Sequence, residues 1–177
     1  MIEFIQKKKM QIEKLGREGA DLEILPILNV INSKERYFST SSCAGRIVLM
    51  SSSKKGETKF ILKSHKRIGN FGEIFDKIKE GSVFRFEGMI LHIACFDYES
   101  AVDILKIARG LGWKRSGLIS DKKAFIVEIS SSEKIEVPLN KKINREFFEF
   151  LCRKANSMLS FEREKMKVLE TQLKQKL

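Results

Sequence analysis

The sequence predicts a single α+β domain over residues 1–177, a mixed β-sheet with packed helices and a long C-terminal helix at 145–177. Three observations carry this expectation. The length of 177 residues lies within the roughly 50 to 250 residues usual for one domain. A hydrophobic content of 42%, with 13 Phe, is enough to bury a core without disulfides or a metal. β-branched and aromatic runs bounded by Gly, Ser and Lys alternate with stretches whose apolar residues recur at helical spacing.

From the N-terminus, Ile5, Ile12 and Leu15 share one face of a helix over Ile2 to Leu15 that ends at Gly16 and Gly19. Asp21 is expected to cap the next helical segment, Leu22 to Ile31, where Pro26 implies a kink or a fresh start. The period then changes. Arg46 to Met50, Lys59 to Lys63, Val83 to Cys95 and Ala124 to Ile129 read as strands, with a short helix at Gly72 to Lys79. Between the last two strands, Ala101, Ile104, Leu105, Ala108 and Leu111 form an apolar stripe, with Asp97 as N-cap and Gly110 or Gly112 as C-cap. Strand, helix and strand in that order imply a crossover unit. From Asn144 the chain reads as one helix of roughly 50 Å. Leu151, Ala155, Met158 and Leu159 give its first half an apolar face, and the part beyond Phe161 is expected to project or fringe the domain.

Charge narrows the function. The 34 Lys and Arg exceed the 23 Asp and Glu by 11, a surplus that suits nucleic acid, an acidic membrane or an acidic protein. Clusters at Lys7 to Lys9, at Lys63, Lys66 and Arg67, and at Lys141, Lys142 and Arg145 favour nucleic acid. A Lys-rich surface serving only solubility is the plainer reading. Cys43, Cys95 and Cys152 form no C-x-x-C pair, so neither a disulfide framework nor a metal site is expected. No stretch has signal-peptide or membrane-span character, which predicts a cytoplasmic protein without a membrane partner.

The densest chemistry lies in SKERYFSTSSCAGRIVLM, where Ser39, Thr40, Ser41, Ser42, Cys43, Gly45 and Arg46 stand together at the start of a strand. Hydroxyl and backbone donors beside a glycine can approach a polar ligand closely, and Arg46 adds a planar charged fork. A Ser-rich strand entry with a solvated Arg is the alternative. Only two residues separate Cys43 from Arg46, too few for a phosphatase-type loop. Gly-rich phosphate and dinucleotide turns are absent, so a Rossmann-type site is not expected. Of the two histidines, alternation puts His92 on the face opposite Leu91, Ile93 and Cys95, while His65 lies among Lys63, Lys66 and Arg67. A lone strand His is more often structural than catalytic.

The block INSKERYFSTSSCAGRI, the Ser64-His65 pair, FEGMILHIAC from Phe86 to Cys95 and GWKRSG from Gly112 to Gly117 occur in that order. Together they resemble the wybutosine-synthesis tRNA methyltransferase family, over about Leu25 to Leu139. Ala44 stands where the family has Ser, Gly88 and Met89 where it has Pro and an aromatic, and Phe60 where Trp is common. The resemblance implies a fold other than the Rossmann type. It implies methyl transfer from S-adenosylmethionine to N(4) of a tricyclic guanosine derivative in the anticodon region of phenylalanine tRNA, with no DNA partner. It places Ser39, Ser41, Ser42, Cys43, Gly45, Arg46, Ser64, Cys95, Ser116 and Gly117 at the cofactor or substrate, and His92 or His65 as acceptor of the departing proton. A non-catalytic basic RNA-binding module is the competing class.

Overall fold

The computed structural model describes residues 2–51, 58–120 and 125–177. Two compact units emerge from the contacts: residues 1–44, 89–132 and 163–177 form the first, and 45–88 and 133–162 the second.

The first unit opens with helix α1 (Ile2–Glu18), which ends where Gly19 adopts a left-handed φ of 75°. Helix α2 (Leu25–Ser33) begins afresh with Pro26 in its first turn, so the proline starts the helix instead of kinking it. Its N-cap is Ile24, with no side-chain cap, so Asp21 is not the cap the sequence implied. Strand β1 (Tyr37–Cys43) comes next, and four strands align antiparallel in the order β1, β5 (Ile90–Cys95), β7 (Phe125–Ser130), β6 (Gly117–Ser120). Ala124, included in the strand expected here, lies outside the described residues. Helix α4 (Tyr98–Gly110) begins as expected, with the Asp97 carboxylate accepting the Ser100 N–H.

The helix does cross over, but to β6, an unforeseen short strand parallel to β5 and one place removed. β7 then turns back to lie antiparallel between them. Leu91, Ile93 and Cys95 on β5 bury one face against Ile27, Leu28 and Ile31 of α2 and Ile104 and Ala108 of α4.

The second unit carries β2 (Arg46–Met50), β3 (Phe60–Ser64), β4 (Val83–Glu87) and β8 (Lys134–Pro138), antiparallel in the order β3-β2-β4-β8. A short helix α3 (Phe71–Phe75) accompanies them. Ile47, Leu49, Phe84 and Phe86 bury one face against Phe148, Leu151, Cys152 and Ala155, while Val48, Met50 and Val83 cluster separately. The run from Val83 to Cys95 is thus two strands in two sheets, not one, and the strands form two antiparallel sheets instead of one mixed sheet.

Helix α5 (Arg145–Lys176) supplies its first half to the second unit and its last turns to the first. Those last turns do not project: Met166, Leu169 and Leu173 are 3%, 0% and 0% exposed within the first unit's core. Three apolar residues at helical spacing suffice to bury one stripe of a helix whose other sides stay charged.

Candidate active site

Strand β1 is an edge strand made largely of hydroxyl residues, and its register shifts between Ser39 and Ser41. Ser39 faces Ile93 across the ladder and Ser41 faces His92, so Thr40 is the extra residue of a bulge. The bulge turns successive hydroxyls to opposite faces. Ser39 and Ser42 share the side of Ile93 and Leu91, and Ser41 shares the side of His92. Ser39 is fixed by Asn32 of α2, whose Oδ1 accepts the Ser39 N–H at 2.8 Å and whose Nδ2 donates to Ser39 Oγ at 3.1 Å.

The end of α1 lies beside this strand. Asp21 Oδ2 accepts the Ala44 N–H at 2.8 Å, and the Ala44 carbonyl accepts from Arg163 Nη1, so the backbone just past the hydroxyl run is held from both sides. Between these elements is a cavity of about 540 Å³, lined by Gln11, Lys14, Glu18, Asp21 and Ser39 through Ser42. That volume is within the roughly 300 to 1,000 Å³ of small-molecule sites. Hydroxyls, a lysine and two carboxylates make its lining amphoteric.

His92 projects from the face opposite Leu91, Ile93 and Cys95, as alternation predicted. Its Nδ1 lies 2.9 Å from Ser41 Oγ and its Nε2 2.8 Å from Glu128 Oε2. Three adjacent strands therefore place a hydroxyl, an imidazole and a carboxylate in one hydrogen-bonded row. The carboxylate can only accept, so Nε2 carries the proton and the Nδ1 lone pair is directed at the Ser41 hydroxyl. Both His92 and Glu128 side chains are 27% exposed, open enough for exchange with a ligand. Ser41 is the one member of the row that also lines the cavity.

The other expected residues are distributed between the units. Cys43 is half-buried at the end of β1, whereas Cys95 is 1% exposed and packs in the first unit's core. Burial pushes the Cys95 thiol up to about 12, and Cys152 likewise, which leaves both as protonated thiols at neutral pH. Ser116 is 2% exposed and precedes β6, which begins at Gly117, and its carbonyl accepts two hydrogen bonds from Arg109. Ser116 Oγ and Trp113 Nε1 are buried without a hydrogen-bond partner among the described residues.

In the second unit, Gly45 takes a left-handed φ of 92° directly before β2. His65 Nδ1 meets the Gly45 carbonyl at 3.1 Å, so that nitrogen donates. Ser64 Oγ closes a local turn with the backbone of Lys66. Arg46 Nε donates to Glu87 at 2.6 Å and its guanidinium lies over Phe60 at 5.8 Å. Glu87 thus already plays the carboxylate partner that sequence reasoning gave to a ligand.

Four contributors, Lys14, Glu18, Asp21 and Glu128, escaped sequence reasoning as site residues. Asp21 sits where a helix cap would, and Glu128 is one of 23 acids, picked out only by its register opposite His92.

The profile of the methyltransferase TYW3 family matches residues 3–175. The chain is 38% identical over 179 residues to the tRNA(Phe) 7-((3-amino-3-carboxypropyl)-4-demethylwyosine(37)-N(4))-methyltransferase of Methanocaldococcus jannaschii, covering 91% of this chain and 92% of that protein. It is 32% identical over 186 residues to the enzyme of the same name from Thermococcus sibiricus, covering 96% and 94%. A solved structure of a Pyrococcus horikoshii protein superposes with a TM-score of 0.85 at 32% identity, covering 95% of this chain and 93% of that one. A non-Rossmann α+β architecture, an ordered hydroxyl-cysteine-glycine-arginine block and a match over nearly the whole length agree: this chain belongs to the methyltransferase TYW3 family.

Proposed function

We propose that the chain acts as one methyltransferase domain over residues 1–177, moving a methyl group from S-adenosylmethionine to N(4) of the tricyclic base at position 37 of phenylalanine tRNA. The whole-length family match and the named activity of relatives at up to 38% identity support this reading. The observation that carries it is the hydrogen-bonded row Ser41, His92, Glu128, which shares Ser41 with a hydroxyl-lined cavity.

The cavity suits a ligand with a cationic sulfur, an ammonium group, a carboxylate and ribose hydroxyls. Asp21 and Glu18 offer charge to the cations, Lys14, which lies 3.7 Å from Glu18, to the carboxylate, and Ser39 and Ser42 hydrogen bonds to the hydroxyls. When bound, S-adenosylmethionine supplies a methyl group on a positively charged sulfur, open to in-line attack by a ring nitrogen. Holding the two reactants aligned can supply about 7 to 11 kcal/mol. The protein then has to remove one proton. As N(4) gains the methyl and loses its proton, Ser41 Oγ accepts that proton while passing its own to His92 Nδ1, and Glu128 stabilises the imidazolium through Nε2. His65, with Nδ1 held by Gly45, is the second candidate for this role. Arg46 of the second unit, whose Nε stays paired with Glu87, offers its remaining N–H groups to a carboxylate or phosphate.

The test is mass spectrometry of phenylalanine tRNA taken from cells lacking this activity and incubated with the protein and S-adenosylmethionine. A gain of one methyl group on base 37 is expected, and no gain from a protein that binds both partners would overturn the reading. Equilibrium binding of S-adenosylmethionine separates it from an RNA adaptor, which has no use for a sulfonium donor.

A further inference from the structure

The second unit buries one side of α5 through Phe148, Cys152, Ala155 and Leu159. Adjoining that side, Phe147 and Phe150 stay 47% and 55% exposed, with rings 24° from parallel and centroids 6.4 Å apart. Same-face spacing carries the line from Phe150 to Lys154, four residues on, and from there to Phe161, seven further and 58% exposed. Single exposed apolar residues are ordinary, but two neighbouring exposed rings stacked on one helix face mark a contact surface. Helix propensity does not call for Phe at these positions, because Leu, Lys or Glu would serve better.

The surroundings indicate the kind of partner. Residues 141–154 hold Lys141, Lys142, Arg145, Arg153 and Lys154 against Glu146 and Glu149. Glu149 lies 3.4 Å from both Arg145 and Arg153, leaving the lysines as the surplus charge. Protein interfaces are depleted in Lys, whereas single-stranded RNA sites combine cations along the backbone with aromatic faces on which bases stack. We propose that Phe147 and Phe150, with Lys154 beside them, form a stacking site for unpaired bases of an RNA loop, and that Lys141 and Lys142 contact the adjoining phosphates. This rests on the reading that the substrate is tRNA.

Binding of the full chain to a stem-loop RNA and to a blunt duplex with the same number of nucleotides, each across a range of salt, tests it. F147A combined with F150A should weaken stem-loop binding about 5- to 150-fold, with duplex binding and the salt slope unchanged. F147L with F150L keeps apolar bulk and should lose nearly as much, while F147W with F150W should retain affinity. K142A should lower the log-log salt slope by about one. Unchanged stem-loop affinity in the alanine pair, or equal losses on both RNAs, overturns the proposal. So does a wild-type dimer in sedimentation that the pair dissolves, since the line would then be a self-interface. If the wild type methylates tRNA yet the pair binds the stem-loop normally, the stacking site alone fails; if the wild type binds no RNA, both readings fail.

Discussion

Strands β1 and β2 are separated by two residues and are opposite in chemistry. In β2, Ile47, Val48, Leu49 and Met50 are all at most 4% exposed, with apolar clusters on both faces of the strand. In β1, the four residues after Phe38 are hydroxyl-bearing, the register breaks, and the strand lies at the sheet edge. A strand buried on two faces must be apolar throughout, whereas an edge strand can turn polar groups towards a ligand because only one side of its ladder is needed for stability. β2 serves the fold, and β1 carries the proposed site.

This contrast can be tested, and the largest effect is expected on the β1 side. H92N should lower kcat by about 10² to 10⁴, with the melting temperature and cofactor affinity nearly intact. E128Q keeps a hydrogen-bonding side chain but removes the charge that steadies the imidazole once it holds the proton, so kcat should fall while cofactor affinity stays nearly intact. Near-normal turnover in H92N would eliminate the base role there and direct the same test to His65.

On the β2 side the expected damage is to folding. Phe84 is fully buried against Phe148, so F84A should cost about 3 to 5 kcal/mol in chemical denaturation. A loss below about 1 kcal/mol would mean that the second unit's core does not depend on close packing there.

R46A probes the residue that starts β2 and was expected at a ligand. Ligand affinity should fall about 10- to 150-fold, as for a lost charge-assisted hydrogen bond. E87Q, which leaves the guanidinium in place, should bind nearly normally. Equal losses in both variants would reduce Arg46 to a structural partner of Glu87.

The smallest effect concerns the cap of α4. The Ser100 N–H and hydroxyl, and then Arg36, hold the Asp97 carboxyl below its usual range. Because the folded state binds this proton less readily than the unfolded state, the contribution is present above about pH 4 and lost as pH falls through the folded value. D97A should cost about 0.5 to 2 kcal/mol at neutral pH, and the difference from wild type should narrow in acid. A gap that does not change with pH would show that the charge is irrelevant to the cap.

Much of this architecture is legible in the sequence where burial imposes a period. The α4 stripe and its Asp97 cap, the interruption at Pro26 and the run RIVLM all report local physics. The break between β4 and β5, which the reading of one strand over Val83 to Cys95 missed, left a trace in the apolar pattern. Buried residues fall at Phe84 and Phe86, then at Met89, Leu91, Ile93 and Cys95, so the alternation slips by one across Gly88. A regular strand cannot change face in that way without a bulge or a break. β1 hid because Ser and Thr at an edge carry no hydrophobic alternation, and β8 because its residues alternate only between half-buried and exposed. The hydroxyl block stands out by composition as a candidate site, but the row through Glu128 depends on register between strands distant in sequence. No local pattern encodes that register.

The path of α5 has a consequence for biosynthesis. Residues 2–44 share a core with Met166, Leu169 and Leu173, so their packing is incomplete until roughly 120 further residues have been translated. At about 5 to 20 residues per second, that interval lasts on the order of ten seconds. The second unit, whose segments end at Glu162, has all its residues earlier. On a translating ribosome, the N-terminal residues that line the cavity therefore wait for a C-terminal helix, with their apolar surface available to chaperones in the meantime.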